Sequence, residues 1–144
     1  MHTLTPNIDD CFAVRQAARH ISKLYERHLS EAGITPTQFS ILSTLGHSPS
    51  STMMELADAM VMDRTTLVRA LRPMLRDGFV AGSSTEHSKR RLQLTLTPCG
   101  RAKLDEAAAY WRAAQECFER SFGQQQAASL RSELFRITRD VSNA

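Results

Sequence analysis

The sequence has little of what disulfide, metal or nucleotide chemistry requires. Its three cysteines, Cys11, Cys99 and Cys117, are odd in number and show no CxxC spacing. That disfavours both a disulfide framework and a cysteine zinc site. The five histidines, His2, His20, His28, His47 and His87, show no HExxH spacing, so a metal enzyme is disfavoured as well. GxGxxG, GxxxxGKS/T and GxSxG are all missing, which leaves no nucleotide cradle and no serine nucleophile. No apolar run approaches the ~18 residues of a membrane span. The opening MHTLTPNIDD lacks the basic start and apolar stretch of a secretory signal. The expectation is a cytoplasmic protein with no metal, cofactor, membrane or enzymatic chemistry. What is present is 42% hydrophobic and 23% charged residues in a chain of 144, the profile of a soluble globular domain of ordinary size.

Charge is distributed unevenly. Residues 60–103 carry nine basic side chains (Arg64, Arg69, Arg72, Arg76, Lys89, Arg90, Arg91, Arg101, Lys103) against Asp63, Asp77 and Glu86, a net of +6. The remainder nets −3. A basic middle between acidic flanks suits a polyanion, whose condensed counterions are released when Lys and Arg neutralise phosphates. On charge alone, a solvated helix face explains it equally well.

Apolar spacing orders the elements. Residues 8–32 read as a helix with Val14, Ala17, Ala18, Ile21, Leu24, Tyr25, His28 and Leu29 on one face, stopped at Gly33. Thr35-Pro36-Thr37-Gln38 opens a second helix with a capping box and Pro at its first position. Thr52 to Glu55 is another capping box, with Met53, Leu56, Ala57 and Met60 facing the core. Asp63 caps a fourth helix running to Asp77, with Leu67, Val68, Leu71, Met74 and Leu75 apolar and a kink expected at Pro73. Then the period changes. Phe79 to Ala81 is a short strand, and Leu92, Leu94 and Leu96 alternate with Gln93 and Thr95 as a second. Gly82 to Arg91 is the polar, basic loop between them. Thr97-Pro98 starts a helix striped by Leu104, Ala107, Ala108, Trp111, Ala114, Phe118 and Phe122. Beyond Gly123 a last helix carries Leu130, Leu134, Ile137 and Val141.

Two short helices joined by a tight turn and followed by a two-stranded ribbon predict a winged helix-turn-helix. The chain is therefore mainly α with a small β-hairpin. The second helix of the pair fits a major groove with its first residues at the base edges, and offers Arg64, Thr65, Thr66, Arg69 and Arg72 there. The ribbon tip offers Lys89, Arg90 and Arg91, suited to a narrow minor groove. In this order and spacing the parts point to double-stranded DNA.

The runs TPTQFSILSTL, STMMELADAMVMDRTTLVRALRPMLRDGFV and KRRLQLTLTPCG resemble the MarR family of bacterial transcription regulators, over about residues 10–142. The resemblance implies a single domain over 1–144: a winged part at 35–97, and N- and C-terminal dimerisation helices at 8–32 and 98–142 that intertwine in a homodimer. It places the recognition helix on Asp63 to Gly78 and the minor-groove arginine of the wing on Arg90. The family usually has an aspartate two positions before that arginine, orienting the wing; here Ser88 stands in its place, with Glu86 nearby. A twofold dimer would bury terminal apolar stripes that a small winged domain leaves bare, and would present two recognition helices to a pseudo-palindromic operator. The alternative is a monomer with extra core helices.

Two switches follow. Cys11, with Tyr25 fourteen residues on, resembles the organic-hydroperoxide-sensing branch of the family, in which an N-terminal cysteine is oxidised. A second tyrosine of that branch is replaced here by Arg15, one turn from Cys11. Cys11 also reads as a small buried apolar residue, and Cys99 and Cys117 as structural. The other switch is a small organic anion of aromatic carboxylate type, which many relatives bind. Arg15, Arg19, His20, Tyr25, Phe39 and Trp111 offer cation, donor and ring faces for it. Phe39 and Trp111 equally read as core, and Arg19 as a surface ion pair. The expected function is a DNA-binding regulator, a homodimeric repressor released by such an effector. The alternatives are a peroxide-sensing repressor using Cys11, a ligand-binding helical dimer without DNA binding, and a thiol enzyme.

Overall fold

The computed structural model describes residues 9–84 and 92–141. In chain order the elements are α1 (Asp10–Leu29), a 3-10 turn (Ser30–Ala32), α2 (Pro36–Gly46), β1 (Ser51–Thr52), α3 (Met53–Met60), α4 (Arg64–Arg76), β2 (Val80–Ser84), β3 (Leu92–Leu96), α5 (Pro98–Phe122) and α6 (Gln124–Val141). They form two compact units, residues 29–110 and residues 1–28 with 111–144.

Local chemistry sets most of the helix ends. Thr35 accepts the Gln38 N–H at 3.1 Å while Gln38 takes the Thr35 N–H at 2.9 Å. Thr52 and Glu55 form the same reciprocal pair, both bonds 3.1 Å long. Each box satisfies two amides that helix geometry leaves without partners. Gly33, at φ 74, closes the 3-10 turn after α1. The first helix therefore ends at Leu29, and its expected last three residues tighten into that turn.

The core of the unit at residues 29–110 is formed by Leu29, Ile41, Leu42, Leu45, Leu56, Leu67, Leu71, Met74, Val80, Leu94 and Ala107, all nearly inaccessible. Met53 and Met60 are only half-buried at the ends of α3. Pro73 does not end α4. It lies in the last turn, where Leu71 and Met74 are both buried and the Asp77 N–H returns to its carbonyl at 2.9 Å.

The sheet has three antiparallel strands in the order β1-β3-β2, one more than the hairpin alone. β1 has two residues, too few to show an alternating pattern, and it pairs Ser51 with Leu94 and Thr52 with Gln93. β2 extends past Ala81 to Ser84, because Gly82, Ser83 and Ser84 pair with Leu94, Gln93 and Leu92 despite their turn-like composition. Leu92 is 39% exposed rather than facing inward. It borders an open groove with Met53, Met54 and Val68.

Between α3 and α4, Val61 adopts φ 52 and ψ 51, the described non-glycine residue with positive φ. A branched side chain in this left-handed region is strained by about 1–2 kcal/mol. Its side chain is 74% exposed, so it gains little from packing. Val61→Gly is therefore expected to stabilise the protein by about 1 kcal/mol, after the extra chain entropy of glycine is deducted. Urea denaturation measures this; an unchanged or lower midpoint would show that the turn carries no strain.

The other unit is built from α1 up to His28, α5 from Trp111 and α6. Ala114 and Ala127 are its buried positions among the described residues, and Phe12, Val14, Phe122, Leu134, Phe135, Ile137 and Val141 remain exposed.

Candidate nucleic-acid interface

The candidate interface is built on α4. Asp63 is its cap, and the Thr66 N–H donates to the Asp63 Oδ1 at 2.7 Å. That bond, with the Thr66 hydroxyl and the positive charge of Arg69, holds the Asp63 carboxyl below the usual carboxylate range. A depressed folded-state pKa stabilises the fold at neutral pH, and this share is lost as pH falls through the folded value.

Burial sorts the helix into two faces. Leu67, Leu71 and Met74 point into the core, while Arg64, Thr65, Thr66, Arg69 and Arg72 are all exposed. Thr65, Arg69 and Arg72 follow at helical spacing and so share one side. Arg64, Thr65, Val68, Arg69 and Arg72 line a shallow hollow of about 290 Å³. Four of the five α4 residues expected to meet DNA are thus brought to one concavity. Thr66 stands outside that lining, at the cap.

Not every cation in the basic middle is available to a partner. Arg101 donates to the Gly46 carbonyl at 3.1 Å, at the end of α2. Lys103 donates to the Ala32 carbonyl at 2.9 Å, pairs with Glu106 at 2.9 Å and lies over the Phe79 ring. Both act where helix-end carbonyls concentrate negative charge. Arg76 pairs with Asp77 at 3.2 Å. Among the described residues, the cations of residues 60–103 left for a polyanion are Arg64, Arg69 and Arg72 of the α4 face. Lys89, Arg90 and Arg91, with Glu86 and Ser88, lie outside the described residues.

The base of the wing is fastened to α5. Thr97 accepts the Gly100 N–H at 2.9 Å, and its hydroxyl donates to the Gly78 carbonyl. The Thr97 N–H donates to the Phe79 carbonyl at 3.1 Å.

The residues proposed for an effector fall in both units. Arg15, Arg19 and His20 are exposed on α1. Tyr25 and Trp111 are half-buried together, ring centroids 4.4 Å apart and tilted by 52°. Burial pushes the Tyr25 hydroxyl above its ordinary range, against the opposing pull of Arg131 and with a further push from Glu119. Arg131 pairs with Glu119 at 3.6 Å, and Gln115 donates to the same carboxylate at 3.3 Å. Sequence reasoning singled out Tyr25 and Trp111 but missed Gln115, Glu119 and Arg131. Phe39 is 7% exposed, in the core of the other unit. Cys11 is exposed on the first turn of α1, Cys117 is half-buried, and Cys99 is exposed rather than packed because it falls on the outward side of the first turn of α5.

A tight helix pair, a hairpin and an arginine-bearing outer face on the second helix define a winged helix-turn-helix protein. The model of the MarR family matches residues 34–92. SarZ, an HTH-type transcriptional regulator of Staphylococcus aureus, is 26% identical over 92 residues, which are 64% of this chain and 62% of SarZ. The chain thus spans less than two thirds of the curated relatives it matches. The M. tuberculosis transcriptional regulator MosR, in a crystal structure with DNA, is 34% identical with a TM-score of 0.83, covering 94% of this chain and 97% of MosR. The repressor CouR bound to p-coumaroyl-CoA has the same fold, with a TM-score of 0.83 at 23% identity over 95% of this chain and 99% of CouR. The chain belongs to the MarR family of winged-helix transcription regulators.

Proposed function

We propose that this protein is a cytoplasmic, homodimeric repressor that binds a pseudo-palindromic duplex and is released by a small organic anion. The observation that carries the reading is the outer face of α4, where Arg64, Thr65, Arg69 and Arg72 line one open hollow. Arginine donors on an exposed helix suit the O6 and N7 of guanine and the flanking phosphates. The DNA complex of MosR supports the same use of this fold.

A second copy of the chain is the partner that the terminal helices call for. Phe12 and Val14 on α1 and Leu134, Phe135, Ile137 and Val141 on α6 are exposed, Phe135 by 63%. Monomers rarely leave so many large apolar groups in water, and a twofold contact would cover them. For release, Tyr25, Trp111 and Arg131 offer a ring face, a phenol and a cation suited to an aromatic carboxylate. Arg15, Arg19 and His20 on α1 add further positive charge or donors. Such a ligand acts by favouring a spacing of the two recognition helices that misfits DNA. The exposure of Cys11 favours a second reading, in which an organic hydroperoxide reaches that thiol and oxidation releases the DNA.

The mass of the complex with a duplex selected from a random pool tests the central reading. Two chains per duplex are expected in sedimentation. One chain per duplex, or no complex, would refute it.

A further inference from the structure

One apolar side chain interrupts the arginine face of α4. Val68 lies four residues after Arg64 and four before Arg72, in one row along the helix. It is half-buried, and it lines the hollow of about 290 Å³ together with Arg64, Thr65, Arg69 and Arg72. It also lines a neighbouring groove of about 550 Å³ with Met53, Met54 and Leu92. Arg64 and Val68 belong to both, so the two concavities meet at that pair. Leu67, Leu71 and Met74 already fill the buried side of the helix. Val68 therefore leaves apolar surface in the same hollow as the arginines.

Phosphate oxygens and the guanine edge answer the arginines, and neither gives a valine anything to bind. On its base edges the major groove of unmodified DNA presents an apolar group at thymine, the C5-methyl. Valine suits such a group. Its branched side chain holds one strongly preferred rotamer in a helix, so making the contact costs little side-chain order. The surrounding guanidinium groups supply the charge that draws the polyanion to this hollow.

We infer that Val68 determines specificity: it packs on the 5-methyl group of one thymine in each half-site, while the flanking arginines hold guanine acceptors or phosphates. This rests on the duplex-binding reading above.

The test uses the full chain, a duplex selected from a random pool, and duplexes in which each thymine is replaced in turn by uracil in both half-sites. That exchange removes the methyl group and leaves the pairing unchanged. Burying one methyl favours binding by about threefold or more, so for the wild type one such exchange is expected to cost about tenfold over the two half-sites. In Val68→Ala the same exchange is expected to cost less than about twofold, with discrimination at guanine positions retained. Thermal unfolding checks that Val68→Ala is folded. A second measurement needs no variant: in the wild-type complex, with valine methyls labelled, a nuclear Overhauser contact between Val68 and that thymine methyl is expected, and it should vanish with uracil. A wild type that binds every uracil duplex as tightly as the selected one would overturn the inference while leaving duplex binding intact. So would an equal loss in wild type and Val68→Ala, or a methyl effect without the Val68 contact, since another side chain such as Thr65 would then read the methyl. A wild type that selects no duplex would overturn the duplex-binding reading, and this inference with it.

Discussion

Replacing Arg69 and Arg72 together by alanine is expected to weaken binding to a selected duplex by about a hundredfold or more. Both side chains are exposed on the same side of α4, and among the described residues neither has an ion-pair partner within 4.0 Å. Their loss removes no core contact, so stability is expected to stay within about 0.5 kcal/mol. The single variants separate the roles. Arg69→Ala is expected to relax base preference, as loss of an edge contact does. A uniform loss across sequences would make Arg69 a phosphate contact instead. Affinity within twofold of wild type for the folded double variant, by fluorescence anisotropy, would remove α4 from the interface.

Gly100→Ala is expected to cost about 3 kcal/mol, because it overpacks a junction with no room to yield. A Cβ there would lie 2.0 Å from the Phe79 carbonyl oxygen and 2.7 Å from Leu96 Cδ1. The first contact is with backbone, and that same oxygen accepts the Thr97 N–H. The start of α5 would have to move off the base of the wing. Urea denaturation should show the loss, and duplex binding should weaken with it. A midpoint equal to wild type would mean that α5 shifts freely at this point and does not position the wing.

How much of this was legible in the sequence depends on the range of the interaction. The caps at Thr35, Thr52 and Asp63 and the stop at Gly33 involve residues three or four apart, and each formed as its motif predicts. The buried side of α4 follows from the spacing of Leu67, Leu71 and Met74. β1 was invisible because two residues carry no period, and its existence depends on pairing with a strand some forty residues later. Arg101 and Lys103 counted toward the basic middle in sequence, yet they bond carbonyls 55 and 71 residues away. Gly100 reads as an ordinary residue in a helix until Phe79 is seen beside it. Tyr25, Glu119 and Arg131 sit on three different helices, so no spacing could join them.

The dependence of duplex affinity on salt tests the central claim most directly. If the α4 face and the wing neutralise phosphates, log K falls linearly with log salt, at a slope of about −4 or steeper for four or more phosphates. A slope near zero, with micromolar or weaker binding throughout, would mean that this arginine-lined helix does not meet nucleic acid.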